Sequence, residues 1–408
     1  MLNPVCPPDV DASDVAEQFD RRQSRDSPPP PVILFVVNVA WFFCLHRLHL
    51  AKAAQAAGYE VHVATAADRP EDVLAIRAAR LHYHEIKLKR GTWSLFGDLR
   101  LVGTLFRLYR SLRPDLVHHV TIKPVLYGTL AARLARLRSV VNAMSGLGFV
   151  FVSSGRLSSL RKQAVMTAYR ILFASDTVRV IFENSDDLNL LVSSGVTRPL
   201  QARLIRGAGV DPTTFRTHPK DAGIPLVILP ARMLWIKGVR EFCEAARIIR
   251  AAGLAARFAL VGRFDPDNPA SVPAQWLRQQ QHETGVEWLG HQDDMPSIYS
   301  KAHIVCLPSY GEGLPTVLLE GAACNCALVT TDVAGCREVV QDRVTGLLVP
   351  AHDPRMLADA LSTLISDVHL RERLGAAAHN EVCSNFSVQN VQRATLRLYS
   401  EMLTPKRS

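Results

Sequence analysis

Short apolar runs alternate with amphipathic segments along most of the chain, and this alternation predicts its secondary structure. Runs rich in β-branched residues predict strands, and the longer stretches between them have the spacing of helices. The strands predicted in the first half are Val32–Val37, Val61–Thr65, His82–Leu88, Asp115–Val120 and Val178–Glu183. Helices are predicted up to Ala57, around Ala75 and over Leu95–Leu112. This order predicts an α/β fold whose parallel sheet is covered on both faces.

A second series of the same kind follows a polar, glycine-containing stretch at residues 207–223. It starts with a predicted strand at Leu226–Pro230 and closes with helical sequence at Pro354–Leu403. We therefore expect two doubly wound, Rossmann-like domains, residues 32–213 and 214–387, which face each other across a cleft. A ligand is expected at the carboxyl ends of their strands. Residues 1–31 are rich in Asp, Ser and Pro, and we expect them to form a disordered leader.

Composition narrows the class of protein. The 408 residues are 48% apolar and 21% charged, which excludes a wholly disordered chain and a small disulfide scaffold. The eight cysteines are irregularly spaced, which is typical of buried free thiols. There is no apolar run of 18 residues, so a spanning helix is not expected. The run Val32–Leu45 follows four prolines and lacks a cleavage motif, so we interpret it as a buried strand and not a signal peptide.

The net charge of +9 is concentrated in the first half of the chain. Residues 32–217 carry 25 Lys and Arg against 12 Asp and Glu, whereas residues 218–408 carry 19 against 20. In the predicted helix Leu95–Leu112, an apolar face is expected at Leu95, Leu99, Val102, Phe106 and Tyr109. The basic stripe of this helix, as we call it, consists of Arg100, Arg107 and Arg110.

Two interpretations of this charge stay open. The basic stripe is either a solvated helix face or a surface that attracts anionic lipid, together with nearby Lys87, Lys89, Arg90 and Trp93. Nucleic acid is not expected as a partner because no recognised nucleic-acid module is present. A dehydrogenase is also disfavoured, because no Gly-x-Gly-x-x-Gly follows the first strand.

The most informative motif is Pro308-Ser-Tyr-Gly-Glu-Gly-Leu-Pro-Thr-Val-Leu-Leu-Glu-Gly321. An apolar strand enters a turn with two glycines and two prolines, and a helix begins at Pro315 or Thr316. The unpaired N–H groups at such a helix start can bind phosphate. Glu312 and Glu320 flank this site, and carboxylates accept hydrogen bonds from sugar hydroxyls. The motif therefore predicts a nucleotide-sugar site.

Two glutamates separated by seven residues in this Gly-Leu-Pro context resemble the signature of the retaining glycosyltransferases of the GT-B fold, family 4. The similarity extends over nearly the whole chain from Val32 and includes segments 230–238 and 346–350. Segments 37–47, 118–124 and 145–149 resemble the branch that acts on polyprenyl-diphosphate sugars in capsule, O-antigen or protein-glycan assembly.

The resemblance implies roles on the donor side. Arg232 and Lys237 would neutralise the diphosphate of a UDP-sugar, Glu312 would bind the transferred sugar, and Glu320 would bind the ribose. The backbone beside the diphosphate would be that of Gly313, Leu314, Pro315 and Thr316. Two cations and a helix dipole would stabilise the leaving diphosphate, so neither a metal nor another cofactor is expected.

On the acceptor side the resemblance implies Asn38, Arg47, His118, Lys123 and Gly146. Many family members have a His-x-His motif whose second histidine contacts the substrates, but this chain has Val120 at that position. His119 is then the candidate catalytic histidine, with packing at the strand end as the alternative. Ala208 stands where the branch more often has serine.

We therefore expect a retaining glycosyltransferase that moves a hexose or N-acetylhexosamine from a UDP-sugar to a lipid-diphosphate-linked sugar. It would act at the inner face of the plasma membrane, as a peripheral protein bound to anionic lipid. By the same resemblance, the last helix, within residues 388–408, would pack back on the first domain. The alternatives are a transferase that uses a GDP-sugar or a soluble acceptor, and a non-catalytic binding protein on the same scaffold.

Overall fold

Two parallel sheets form the framework of the computed structural model, which describes residues 29–88, 95–146, 156–265, 268 and 270–404. The strands of the first sheet are β1 (Val32–Val39), β2 (Glu60–Ala66), β3 (His82–Glu85), β4 (Leu116–Val120), β5 (Val140–Met144), β6 (Val178–Phe182) and β7 (Ala202–Leu204). The strands of the second sheet are β8 (Leu226–Pro230), β9 (Arg257–Val261), β10 (Val286–Trp288), β11 (Ile304–Leu307), β12 (Ala327–Thr331) and β13 (Leu347–Val349).

The strand order is β3-β2-β1-β4-β5-β6-β7 in the first sheet and β10-β9-β8-β11-β12-β13 in the second. The strand pairs of both sheets are parallel. In each sheet the order reverses next to the first strand of the series, which is the position where doubly wound sheets bind ligands. The predicted α/β class with two Rossmann-like domains is confirmed.

Helices cover both faces of the sheets. Those of the first domain are α1 (Ala40–His46), α2 (Leu48–Ala56), α3 (Pro70–Ala78), α4 (Leu95–Leu112), α5 (Thr129–Leu134), α6 (Arg156–Phe173) and α7 (Ser185–Ser193). Those that follow are α8 (Val239–Ala251), α9 (Ala274–Glu283), α10 (Met295–Lys301), α11 (Thr316–Ala323), α12 (Ala334–Val339), α13 (Pro354–Ser366), α14 (Val368–Asn385) and α15 (Val388–Leu403). A π-helical turn spans Pro124–Gly128, and a 3₁₀ turn spans Trp235–Lys237.

The central strands are buried on both faces because each sheet lies between two apolar layers. In β1, Leu34 and Val36 point to one layer, and Ile33 and Phe35 point to the other. A strand with two covered faces needs a continuous apolar run and not an alternating one, which explains the sequence at residues 32–37.

Helix α4 has the predicted bounds, and its buried face includes the predicted Val102 and Tyr109 but not Leu99. Leu101, Val102, Leu105 and Tyr109 are buried, whereas Leu99 is 59% exposed. Apolar residues occur on more than one side of this helix, so spacing alone did not identify the packed side. The basic stripe is exposed, while residues 89–94, which include Lys89, Arg90 and Trp93, lie outside the described residues.

Helix α15 contacts the first domain. Its Tyr399 hydroxyl lies 2.5 Å from Nδ1 of His118, and Gln392 donates to the carbonyl of His49. The two domains are therefore linked by the end of the chain as well as by the segment that precedes β8. Among the helices described, none is both long and apolar enough to cross a bilayer.

Candidate active site

The predicted phosphate-binding motif is the loop between β11 and α11, here called the donor loop (residues 308–315). The backbone of the 3₁₀ turn holds this loop, because the carbonyl of Ile236 accepts hydrogen bonds from the backbone N–H of Tyr310 and the hydroxyl of Ser309. Helix α11 begins at Thr316 with Pro315 as its N-cap, and no side chain caps it. Its first N–H groups are therefore available to an anion at this edge of the sheet.

Lys237 and Glu312 form a largely buried ion pair across the two loops. The Nζ of Lys237 lies 2.6 Å from Oε1 of Glu312, and the side chains are 20% and 10% exposed. Gly238 follows with φ of +72°, and a Cβ there would lie 2.0 Å from the carbonyl oxygen of Pro308. The glycine is therefore required for the close approach that brings lysine and glutamate together.

Arg232 follows β8, at the same edge of the sheet as the donor loop. One guanidinium nitrogen lies 3.4 Å from Oδ2 of Asp265, and the arginine side chain remains 40% exposed. The second predicted cation is thus partly accessible to a ligand.

Glu320 lies one turn into α11 and has an unusual protonation equilibrium. Burial raises its pKa to about 7, and the hydroxyl of Tyr299, which donates to Oε2 at 2.7 Å, opposes this change. A carboxyl group with this pKa can accept a hydrogen bond from a hydroxyl group and, when protonated, can also donate one. Such a group suits the recognition of a diol.

The two domains meet directly at the donor loop. A Cβ on Gly313 would lie 2.6 Å from the backbone nitrogen of Gly146, so the two backbones are in contact. The side chain of Asn184, at the N-cap of α7, donates a hydrogen bond of 2.8 Å to the carbonyl of Gly313. The first domain therefore positions the donor loop of the second.

A second interdomain contact was not among the predicted site residues. Glu338 accepts hydrogen bonds from the backbone N–H and the hydroxyl of Ser185, and its other oxygen lies 2.7 Å from Nε of Arg206. Burial opposes ionisation of Glu338, but these hydrogen bonds outweigh burial and lower its pKa. Pairing of residues across domains has no signal in one sequence.

The predicted acceptor residues have different surroundings. Gly146 lies at the cleft, and Asn38 lies near the carboxyl end of β1. Arg47 is buried and pairs with Glu183 at 2.8 Å. Lys123 pairs with Asp98 at 3.1 Å. The structure thus brings Gly146 next to the donor loop. It holds Arg47 and Lys123, the two cations predicted on the acceptor side, in ion pairs within the first domain.

His118 and His119 are both buried in the first domain, on opposite faces of β4. The ring nitrogens of His119 lie 2.9 Å from the Tyr109 hydroxyl and 2.8 Å from Oδ1 of Asn142. Burial lowers its pKa to about 4, although the contact with Asn142 opposes this change. The ring of His119 thus occupies the packed core, as the packing alternative predicted, and the geometry gives no support to its use as a base.

His46, the last residue of α1, was not among the predicted site residues. Burial lowers its pKa to about 3, and the positive charges of Arg47 and Arg232 contribute. The imidazole is therefore held neutral, so it can accept as well as donate a hydrogen bond.

Two family models match the chain, one in each domain. Residues 32–184 match "Glycosyl transferase 4-like", and residues 224–367 match "Glycosyl transferases group 1". Together they cover most of both domains.

Proteins with similar sequences carry related names. A Campylobacter jejuni N,N'-diacetylbacillosaminyl-diphospho-undecaprenol alpha-1,3-N-acetylgalactosaminyltransferase is 26% identical over 88% of this chain and 95% of its own length. An Escherichia coli UDP-Gal:alpha-D-GlcNAc-diphosphoundecaprenol alpha-1,3-galactosyltransferase is 23% identical over 77% of this chain and 82% of its own.

The fold is also that of solved structures. The crystal structure of Anabaena Alr3699/HepE in complex with UDP has a TM-score of 0.72 at 19% identity, over 90% of this chain and 99% of that one. A glycosyltransferase from Rickettsia africae has a TM-score of 0.74 at 17% identity, over 93% of this chain and 100% of its own.

Proposed function

We propose that this chain, which belongs to the GT-B glycosyltransferases, transfers a sugar from a UDP-sugar to a sugar carried on a polyprenyl diphosphate. The donor would be a UDP-hexose or UDP-N-acetylhexosamine, and the transfer would retain the anomeric configuration. The observation that carries this proposal is the convergence of Arg232, the Lys237–Glu312 pair and the start of α11 at one edge of the second sheet.

These groups match the charge that develops in the reaction. Breaking the bond between the anomeric carbon and the phosphate oxygen adds one negative charge to a diphosphate that already carries two. Arg232, Lys237 and the N–H groups of α11 would stabilise this charge once the donor has bound. Glu320 would accept hydrogen bonds from the ribose hydroxyls.

Glu312 would change partners when the donor binds. In the structure its carboxylate neutralises Lys237 at 2.6 Å. A diphosphate near Lys237 would compete for the ammonium group and leave Glu312 free to accept hydrogen bonds from the sugar hydroxyls. In this account the leaving phosphate takes the proton of the attacking acceptor hydroxyl as the new bond forms on the same face of the sugar.

The acceptor assignment rests on the relatives and on charge. Both relatives named above have undecaprenol diphosphate in their names. The excess positive charge lies in the first domain, and the basic stripe of α4 is exposed. Attraction of these arginines to anionic lipid would hold the enzyme at the membrane face where such an acceptor is found.

The test is an incubation of the purified full-length protein with a panel of UDP- and GDP-sugars and a synthetic polyprenyl-diphosphate sugar. We expect product only with a UDP-sugar, and NMR of the product should show the anomeric configuration of the donor. Transfer from a GDP-sugar, or to a soluble sugar alone, would favour those alternatives. UDP binding without transfer to any acceptor of the panel would favour a binding protein.

A further inference from the structure

Three histidines and a glutamate lie together at the edge of the first sheet, away from the candidate active site. Glu60 and His62 are on β2, and His82 and His84 are on β3. The register pairs His62 directly with His82, so residues at alternate positions of both strands share one face. Glu60 and His82 are the first residues of their strands, whereas the donor loop lies at the carboxyl ends of the strands of its own sheet. About 20 Å separate Glu60 from the carboxyl end of β2.

The distances in this cluster fit a transition-metal ion. Nε2 of His62 lies 2.8 Å and Nε2 of His82 lies 3.8 Å from Oε1 of Glu60, and the ligand atoms of the three residues lie within 4.8 Å of one another. Tetrahedral zinc with bonds of about 2.0–2.1 Å separates its ligand atoms by roughly 3.3 Å. The two observed distances bracket this value, so small side-chain rotations would complete the set.

His84 makes the second hydrogen bond that a ligating histidine usually has. Its Nε2 lies 2.8 Å from Nδ1 of His62, the nitrogen that points away from Glu60. A hydrogen bond at this nitrogen fixes the orientation and the tautomer of a ligating imidazole. His62 is buried, so its ring is held in place by its surroundings, whereas the side chain of His82 is 60% exposed and can turn toward an ion from solvent.

We propose that Glu60, His62 and His82 bind one divalent transition-metal ion such as Zn²⁺, with His84 orienting His62. Two imidazoles and a carboxylate are ligands for Zn²⁺, Ni²⁺ or Cu²⁺, and not for Mg²⁺. The ion would connect β3, a four-residue edge strand, to β2. It would therefore stabilise the first domain in proportion to its occupancy.

The experiment is calorimetric titration of metal-free full-length protein with Zn²⁺, together with thermal unfolding with and without the ion. We expect Zn²⁺ to bind and to raise the melting temperature, and Mg²⁺ to do neither. His82→Asn is the decisive variant because the exposed side chain makes little contribution to folding, and we expect it to abolish both effects. His84→Gln should weaken zinc binding about 10- to 100-fold.

His291→Asn is the matched control, since it removes a half-exposed histidine beside Asp293 in the second domain and leaves every cysteine in place. It should bind zinc as the wild type does. The proposal is overturned if His82→Asn and the wild type bind Zn²⁺ with the same affinity and the same change in melting temperature. Transfer activity is measured separately, and EDTA should remove the ion without stopping transfer. Failure of the metal-site proposal would therefore appear in zinc binding, and failure of the proposed function would appear in transfer.

Discussion

Replacement of Gly313 by alanine tests whether contact between the domains sets the geometry of the donor loop. The φ of Gly313 is outside the left-handed region, so the cost of alanine comes from space alone. The added Cβ would lie 2.6 Å from the backbone nitrogen of Gly146 and 2.7 Å from the carbonyl carbon of Ser145, where ordinary contact starts at 3.4 Å. Both neighbours are backbone atoms, so the cleft must open by about 0.8 Å.

This displacement sets the expected magnitude. An opening of this size would lengthen the hydrogen bond from Asn184 to Gly313 beyond bonding distance, which costs about 1 kcal/mol. Misplacement of reacting groups by about 1 Å can reduce a rate about 100-fold, equivalent to roughly 2.7 kcal/mol in the barrier. We expect a loss in kcat/KM of this order for Gly313→Ala.

The assay is steady-state transfer from a UDP-sugar, with UDP binding and thermal unfolding measured in parallel. Gly103→Ala is the matched control, because a Cβ at that site in α4 has no neighbour within 4 Å. The control should retain wild-type kinetics, and both variants should fold. If Gly313→Ala were as active as the control, the idea that interdomain contact positions the donor loop would be refuted.

Four further variants test the donor site and the basic stripe. Lys237→Met and Glu312→Gln should each reduce kcat at least about 100-fold while circular dichroism stays unchanged, and near wild-type turnover of either would contradict the donor-site assignment. Glu320 has a folded-state pKa raised to about 7, so its contribution to stability is present at low pH and is lost as pH rises from about 4.5 to 7. Glu320→Gln should remove this part of the decrease in unfolding free energy with pH, which is up to about 1.4 kcal/mol per pH unit. The measurement is urea unfolding of both proteins at pH 5 and pH 8. An equal decrease in the variant and the wild type would refute the raised pKa of Glu320. Replacement of the three arginines of the basic stripe by Gln should weaken binding to anionic vesicles, most at low salt, whereas equal partitioning of mutant and wild type would make the stripe a solvated surface.

Sequence alone predicted the bounds of two amphipathic helices. The bounds of α4 and of α15 at Val388–Leu403 agree with their apolar periodicity. Other elements end earlier than expected: β3 stops at Glu85, and the helix predicted up to Ala57 is divided at Arg47. Ile86 and Leu88 are buried although they follow the last residue that pairs with β2, so a buried loop gave the pattern expected of a strand.

The two histidines of β4 show why burial could not be assigned residue by residue. Successive side chains of a strand point to opposite faces, so His118 packs against Tyr399 and His119 against Tyr109. Because both faces of this sheet are covered, a strand-end histidine has a packed environment on either side. The sequence predicted the covered sheet, but Tyr399, the partner of His118, lies on a helix 281 residues away in the chain.

Arg47, which was predicted on the acceptor side, pairs with a residue next to a donor-loop contact. It was expected to contact the acceptor, yet its guanidinium donates to Glu183, and both side chains are less than 10% exposed. Glu183 precedes Asn184, whose side chain donates to the carbonyl of Gly313 in the donor loop. A buried ion pair is costly to break, since loss of one partner leaves an uncompensated charge. The Arg47–Glu183 pair therefore holds the residue that directly precedes the donor-loop contact of Asn184.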